Sequence, residues 1–587
     1  MAEMVLPGVY IEERPEALIV AGPITVGNIG IVGTAKKGPF GEVTILSSFA
    51  DAIDNFGAYD AYDPTAPGHE LTLVRALELA YANGATTVYA IRVSSTKDKD
   101  ATDPDNFIAP WDKNTKAEKA TFSVAGETAG TEAAKLKAIN HGSWGNEIGI
   151  NVSSTTADSI VSNEEFDVGT TTTTIALKRG NIDAASARNQ IKLVKADGQV
   201  KIFNVVYSPQ SPNPGDVQID PATGTLAFAT GETPVNGDKL YASYAVKAAN
   251  SRQVTIRYAG VTEIYTIADG AHLVDLVNNQ NSGSALVQGT AGANPGQLPR
   301  ADSSIDVFEL FGRGGTNIPG NNGQDSVNST DYKLGLDQLL NENVHIIIAA
   351  GRDDRDIGST LQSHVAVAST DKIKHDRIAV VGGSKITQPN NVGHNLDSDR
   401  VIFVAPGIIT TDAASGNTVT LPGAYAATAI AGMLSAVSPH ISLTNKTVSV
   451  NDLEIKFNPG QLEQLILSRI LAIEVRQGIR VVKAITTSTN TAFQQITTRR
   501  IVDYAKYGVR SAANPYIGLL NNDRVRKSLK GSINGFLAGM VDDEMLIGYQ
   551  LDVTATRDEQ IRGIARVTMT IQPTFSIDYI KVVMYLG

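Results

Sequence analysis

Three apolar runs without polar alternation dominate the second half of the chain: VHIIIAAG, RIAVVGG and DRVIFVAPG. A strand with one wet face alternates apolar and polar residues. A strand covered on both faces reads as a continuous apolar run. The segments between and after these runs have helical character: DYKLGLDQLLNEN, LQSHVAVASTDKI and Gly423 to Val437. The same order occurs earlier. IGIVGT (Ile29 to Thr34) reads as a short buried strand, and ELTLVRALELAYANG as a helix with Leu73, Leu77, Ala80 and Tyr81 on one side. That helix stops at Asn83-Gly84, and TTVYAIRV is the next strand. Strands and helices in this order predict a parallel sheet with helices on both faces.

The middle of the chain differs. From about residue 101 to 325 it is rich in Gly, Thr, Ser and Asn, with short β-like runs. QIKLVKADGQVKIFNVVY predicts two strands about the Asp197-Gly198 turn, and TGTLAFAT, KLYASYAV and RQVTIRYAG continue the pattern. At one to two hundred residues per domain, 587 residues make roughly three or four domains. The expected fold is α/β plus all-β. An N-terminal arm (1–25) precedes a parallel-sheet α/β scaffold in two parts (26–100 and 326–495). Between the parts lies a β-rich, sandwich-like insertion (101–325), read as two small domains. An α+β C-terminal domain (496–587) ends in extended strands: YQLDVTAT, ARVTMTIQ and, after Pro573, IDYIKVVMYLG.

The search for chemistry returns little. The chain has no cysteine, which excludes disulfides, thiolate metal sites and cysteine nucleophiles. Gly33 and Gly38 have P-loop spacing, but Pro39 and Phe40 stand where Lys and Ser/Thr are required. The eight histidines show no zincin spacing. His364, His375 and Asp371 are one conceivable base-and-orienter set, of a kind chance supplies in a long chain. Asp353-Asp354 and Asp542-Asp543 read as solvated or capping pairs, and no Gly-x-Ser-x-Gly elbow occurs. The expectation is no enzyme, no metal and no cofactor. The Gly423–Val437 segment is too short to cross a bilayer. The N-terminus lacks a basic region followed by an apolar one, so neither a membrane anchor nor a signal peptide is expected.

Charge is unevenly placed. Residues 476–530 hold eleven Lys/Arg against Asp503 and Asp523, a local +9. The rest of the chain has 39 basic and 59 acidic residues, or −20. Such a block either meets an acidic partner or neutralises acids of its own fold or of an identical neighbour. In DRVRKSLKGSINGFLAGM, Val525, Leu529, Ile533, Phe536 and Met540 follow helical spacing. Arg524, Arg526, Lys527 and Lys530 project from the far side, Asp523 is placed to cap, and Gly531 and Gly535 are points where the helix could break. Little aromatic interleaving accompanies the charge, so nucleic acid is a poor partner.

Both chain ends carry apolar strand-like segments. An unpaired apolar strand is an aggregation hazard unless it pairs within its subunit or donates to a neighbour's sheet.

Several stretches resemble the tail sheath proteins of contractile phage tails and related contractile injection systems. They are PGVYIEE in the arm, GPITVGNIGIVGTAKKGPFGEVTILSSFADAIDNFG, HGSWGNEIGINV, and the stretch from RRIVDYAKYGVR through GLLNNDRVRKSLKGSINGFLAGM to the final strands. The resemblance implies many copies in a helical sleeve around an inner tail tube, located in a virion tail, with baseplate and tail terminator proteins as further partners. It implies contraction that drives the tube through a target envelope. It also implies inter-subunit strand exchange through Val5, Pro7, Val9, Tyr10 and Ile11 at one end. At the other end the exchanging residues would be Ile577, Tyr579, Ile580, Val582, Met584 and Leu586. Arg524, Arg526, Lys527 and Lys530 become candidates for tube contact. The other readings are an α/β hydrolase-like enzyme with an appended β-sandwich, supported by the parallel sheet, and a surface adhesin, supported by the Thr/Gly/Asn-rich middle.

Overall fold

A computed structural model describes residues 26–58, 60–63, 71–95, 117–168, 175–302, 304–314, 317–324 and 327–585. The chain divides into two compact units, residues 1–115 with 324–587, and residues 116–323. The expected N-terminal exchange residues Val5 to Ile11 lie outside the described residues, as does Leu586.

The first unit is built on an eight-stranded sheet. In chain order its strands are β1 (Ile29–Gly33), β2 (Val43–Leu46), β3 (Val88–Arg92), β4 (Ile346–Ala349), β5 (Ile378–Gly382), β6 (Val401–Ala405), β7 (Leu471–Val475) and β8 (Ile479–Val481). Their spatial order is β2-β3-β1-β4-β5-β6-β7-β8. The inner pairs from β3 to β7 are parallel, and only the edge strands β2 and β8 run antiparallel to their neighbours.

The unit's longer helices are α1 (Phe49–Phe56), α2 (Leu73–Ala82), α3 (Ser329–Gln338), α4 (Ser359–Ala368), α5 (Gly423–Ala436), α6 (Pro459–Leu467), α7 (Ile496–Ala513) and α8 (Asp523–Asp542), and a short one, Arg557–Ile561, follows them. The apolar runs explain themselves once the helices are placed. Ile346, Ile348, Val380, Ile402 and Val404 face one core, shared with α2 and α5. Ile347, Ala349, Val381, Val401 and Phe403 face a second core, shared with α3 and α4. Successive residues therefore serve opposite faces, and neither face can be polar. Helix α5 approaches α2 so closely that a Cβ at Gly432 would stand 2.4 Å from the Ala80 carbonyl oxygen, so only glycine fits. The apolar stretch QLEQLILSRILAIE is not one element. It splits into α6 and β7 at Arg469, whose φ of 62° ends the helical path.

After α8 a two-stranded antiparallel hairpin follows, β9 (Leu546–Thr554) and β10 (Arg566–Pro573), with Leu551 opposite Met569 and Val553 opposite Val567. Helices α7 and α8 and the hairpin share a separate core of Ile501, Ala505, Leu529, Ile533, Leu537, Met540 and Leu546.

The second unit contains seven-, four- and three-stranded sheets. The seven-stranded sheet has its own core around Ile191, Ile219, Leu240 and Tyr244, and includes the hairpin at Asp197-Gly198 with Val200 opposite Val194. The four- and three-stranded sheets share another core, built on Trp144, Leu136 and Ile256 and closed by the helix Gly270–Val277.

Candidate assembly surfaces

Within the basic block, the residues of α7 and those of α8 meet different surroundings. On α7, Arg499 donates to Asp399 and Asp503, both at 2.8 Å. Arg400, at the start of β6, grips Asp503 with both terminal nitrogens at 2.8 and 2.9 Å, and reaches Asp376 at 3.1 Å. Lys506 and Arg510 also close on the fully buried Asp376. Burial would raise the Asp376 carboxyl, but hydrogen bonds from Lys506 and Arg510 outweigh it and hold the group below its usual range. Arg500 is buried and donates to the Val437 carbonyl at 2.9 Å. Burial lowers it to about 10, against the pull of Asp503. Four basic residues of the block thus neutralise and cap their own fold, bolting α7 to the sheet. Buried charges persist only when paired in this way.

Helix α8 carries the other half. Its cap is Asn522, whose side chain accepts from the Val525 amide at 2.9 Å. Asp523, expected as the cap, sits in the first turn and pairs with Arg526. The helix runs unbroken through Gly531 and Gly535, because its buried stripe holds it in place. That stripe is Leu529, Ile533, Leu537 and Met540. The sequence spacing passed over Leu537, whereas Val525 and Phe536 are only partly buried. A Cβ at Gly508 of α7 would stand 1.8 Å from the Phe536 ring, so α7 needs glycine there to pack against α8.

The four tube-contact candidates do not behave alike. Arg526 turns back on the helix start, donating to the Asn521 carbonyl at 3.1 Å and its side-chain oxygen at 2.7 Å, and its side chain is 11% exposed. Lys530 reaches Asp552 of β9 at 3.3 Å. Arg524 and Lys527 are exposed.

The end of the chain departs from the sequence expectation. Residues 574–585 form no strand, because no strand of their own subunit offers them a ladder among the described residues. Ile577, Tyr579, Ile580, Val582, Val583, Met584 and Tyr585 are all exposed, Ile580 at 83% and Met584 at 79%. The strand expected in IDYIKVVMYLG is therefore not formed among the described residues. Beside this tail, the β9–β10 hairpin is a sheet of only two strands.

The catalytic candidates separate. The Nε2 of His364 lies 3.3 Å from the Arg377 guanidinium, and burial together with that charge pushes the imidazole down to about 3. Asp371 is fully exposed, its nearest cation being Arg510 at 4.0 Å. No hydrogen bond joins His364, His375 and Asp371, so they form no base-and-orienter set. Asp353 accepts from the Asp356 amide as a cap, while burial and the charge of Asp353 push Asp354 up to about 6. Asp354 lines a cleft of about 310 Å³ beyond the ends of β5 and β6. The chain's own Glu454 carboxylate binds amides on two of the lining residues, Ile386 at 2.8 Å and Gly407 at 3.1 Å. Among the described residues no group of three His, Asp or Glu could hold a metal ion. Among them, too, no helix is long and apolar enough to cross a membrane.

The first unit thus presents candidate assembly surfaces: an exposed apolar tail, a two-stranded hairpin and a capped helix with two exposed cations. The phage tail sheath protein central domain matches residues 325–487, and the phage tail sheath C-terminal domain matches residues 488–587. Together the two matches run through residues 325–587, and that part of the chain is similar to tail sheath proteins. The sheath tail protein of Desulfitobacterium hafniense aligns over 97% of this chain and 100% of its own, at 13% identity and a TM-score of 0.54. That of Listeria innocua aligns over 96% and 95%, also at 13% identity and a TM-score of 0.54. At such identity the likeness establishes the shared fold. No curated protein sequence matches the chain. The hairpin, α7 and α8 fall within the range matched by the C-terminal sheath domain, together with the tail.

Proposed function

We propose that this chain is a sheath subunit that polymerises helically around an inner tail tube by exchanging strands between copies, and contracts to drive the tube through a target envelope. The exposed tail is the observation that carries the reading. Seven large apolar side chains lie exposed within nine residues, and each regains about 1.5–3 kcal/mol on full burial. The β9–β10 hairpin of a second copy is the natural acceptor, since each of its strands has an edge open to backbone pairing. The arm at residues 1–25 is the second donor on this reading.

Residues 496–587 are the tube-facing part and residues 101–325 the outer insertion. The tube contact falls to Arg524 and Lys527, the two of the four that are exposed. Exposed charge pairs contribute about 0–1 kcal/mol each. A tube can therefore be released copy by copy yet held in register by many copies. The subunit acts mechanically, without catalysis or cofactor, and the energy of contraction is stored at assembly. Baseplate and tail terminator proteins complete the tail in which it resides. Electron microscopy of the purified chain tests the reading. Tubes or helical polymers are expected, and a monodisperse monomer at high concentration overturns it. Charge reversal at Arg524 and Lys527 should weaken tube association in a salt-dependent manner. Unchanged association removes α8 from that contact.

A further inference from the structure

The tail has an inverted burial pattern. Its apolar residues are exposed, while its single carboxylate, Asp578, has a side chain only 10% exposed. Three elements converge on that carboxylate. Gln495, the residue that opens α7, donates to Oδ2 at 3.1 Å. Lys483 stands 3.5 Å from the same oxygen, and Thr444 reaches Oδ1 at 3.5 Å. The Gln495 side-chain oxygen accepts from the Ser576 amide at 3.3 Å, so Ser576 and Asp578 are tied to one side chain. Lys483 also donates to the Tyr579 hydroxyl at 3.3 Å, and its ammonium lies 5.0 Å from the centre of that ring. Beyond Tyr579 no described residue of the tail makes a side-chain hydrogen bond or ion pair.

We propose that Asp578 is a positioning residue that pins the root of the exchanged tail and thereby sets how far one subunit can reach to the next. This rests on the strand-exchange reading. With the root pinned, the nine residues from Tyr579 to Gly587 span about 30 Å at most. Released back to Thr574, the tail gains five residues and about 16 Å of slack. A slack linker lowers the effective concentration of the tail at its acceptor and loosens the spacing between copies. A pinned root delivers the strand to one acceptor at one distance. It also transmits a pull to α7 and the sheet rather than peeling the tail off the hairpin.

The test compares Asp578→Ala and Lys483→Met with a chain truncated after Asp578, all otherwise full length. The readouts are the threshold concentration for tube assembly and the regularity of subunit spacing in electron micrographs, with thermal melting as the control for folding. Both substitutions should raise the threshold about tenfold and broaden the spacing, with melting unchanged. The double variant should be no worse than either single one, because both break the same contact. Asp578→Glu should restore assembly in part. If truncation abolishes tubes while Asp578→Ala and Lys483→Met assemble as the unaltered chain does, the pin is overturned and strand exchange stands. A raised threshold in Asp578→Ala alone, with lowered melting and normal Lys483→Met, overturns the pin as well. If the truncated chain assembles normally, the exchange reading itself falls, and the pin with it.

Discussion

Helix α7 and the C-terminal tail reverse the usual expectations for charge and apolarity. Helix α7 carries Arg499, Arg500, Lys506 and Arg510, which in a sequence suggest a wet surface, and the fold turns all four against buried acids or carbonyls. The tail carries Ile, Val, Met and Tyr, which suggest a core, and the fold leaves them exposed. The lesson is about partners. A charged side chain goes inside when its own chain supplies counter-charges at the right distance. An apolar segment stays outside when its own chain supplies no ladder.

That contrast makes graded predictions for subunit stability. Asp376→Asn should have the largest effect, about 3 kcal/mol in denaturant unfolding, because it removes a fully buried carboxylate on which Arg400, Lys506 and Arg510 converge. The same carboxylate gives a pH dependence. Its pKa is lowered in the folded state, so its contribution is complete above the unfolded value of about 3.9 and is lost as pH falls below it. The wild type should therefore lose stability in that acid window, and Asp376→Asn should flatten the loss. A flat wild-type profile would show that the network does not lock α7.

Gly508→Ala should cost about 1–3 kcal/mol by forcing Phe536 out of place, and shortening the ring with Phe536→Leu in the same chain should recover part of it. Asn522→Ala should cost about 1 kcal/mol, whereas Asp523→Ala should cost less, which separates the true cap from its neighbour. Truncation after Asp578 should change stability by less than about 0.5 kcal/mol while abolishing tubes. A large fall in melting temperature on truncation would mean that the tail belongs to the subunit's own core, and the contrast with α7 would fail.

Much of the scaffold was legible because its physics is local. A strand covered on both faces cannot hide polar residues, so VHIIIAAG, RIAVVGG and DRVIFVAPG announced a parallel sheet before any contact was known. The stripe on α8 was legible apart from Leu537, which at eight residues beyond Leu529 falls on the same face. The cap was misplaced by one residue, since Asn522 and Asp523 are both good capping types and only backbone geometry chooses between them. The division of the basic block was not legible. Nothing local distinguishes Arg499, which meets Asp399 a hundred positions away, from the exposed Lys527.

By itself the sequence determined the local features: covered strands, an amphipathic helix, a cysteine-free chain and an apolar final segment. These depend on neighbours a few residues apart, whose spacing dictates which faces must be dry. Only the tertiary structure decided which cations turned inward, which oxygen caps α8 and why Asp578 is held while Ile577 and Ile580 are not. Those outcomes depend on groups brought together from distant parts of the chain. Electrostatic and hydrogen-bond energies fall off within a few ångströms, so they are set by the final positions of those groups.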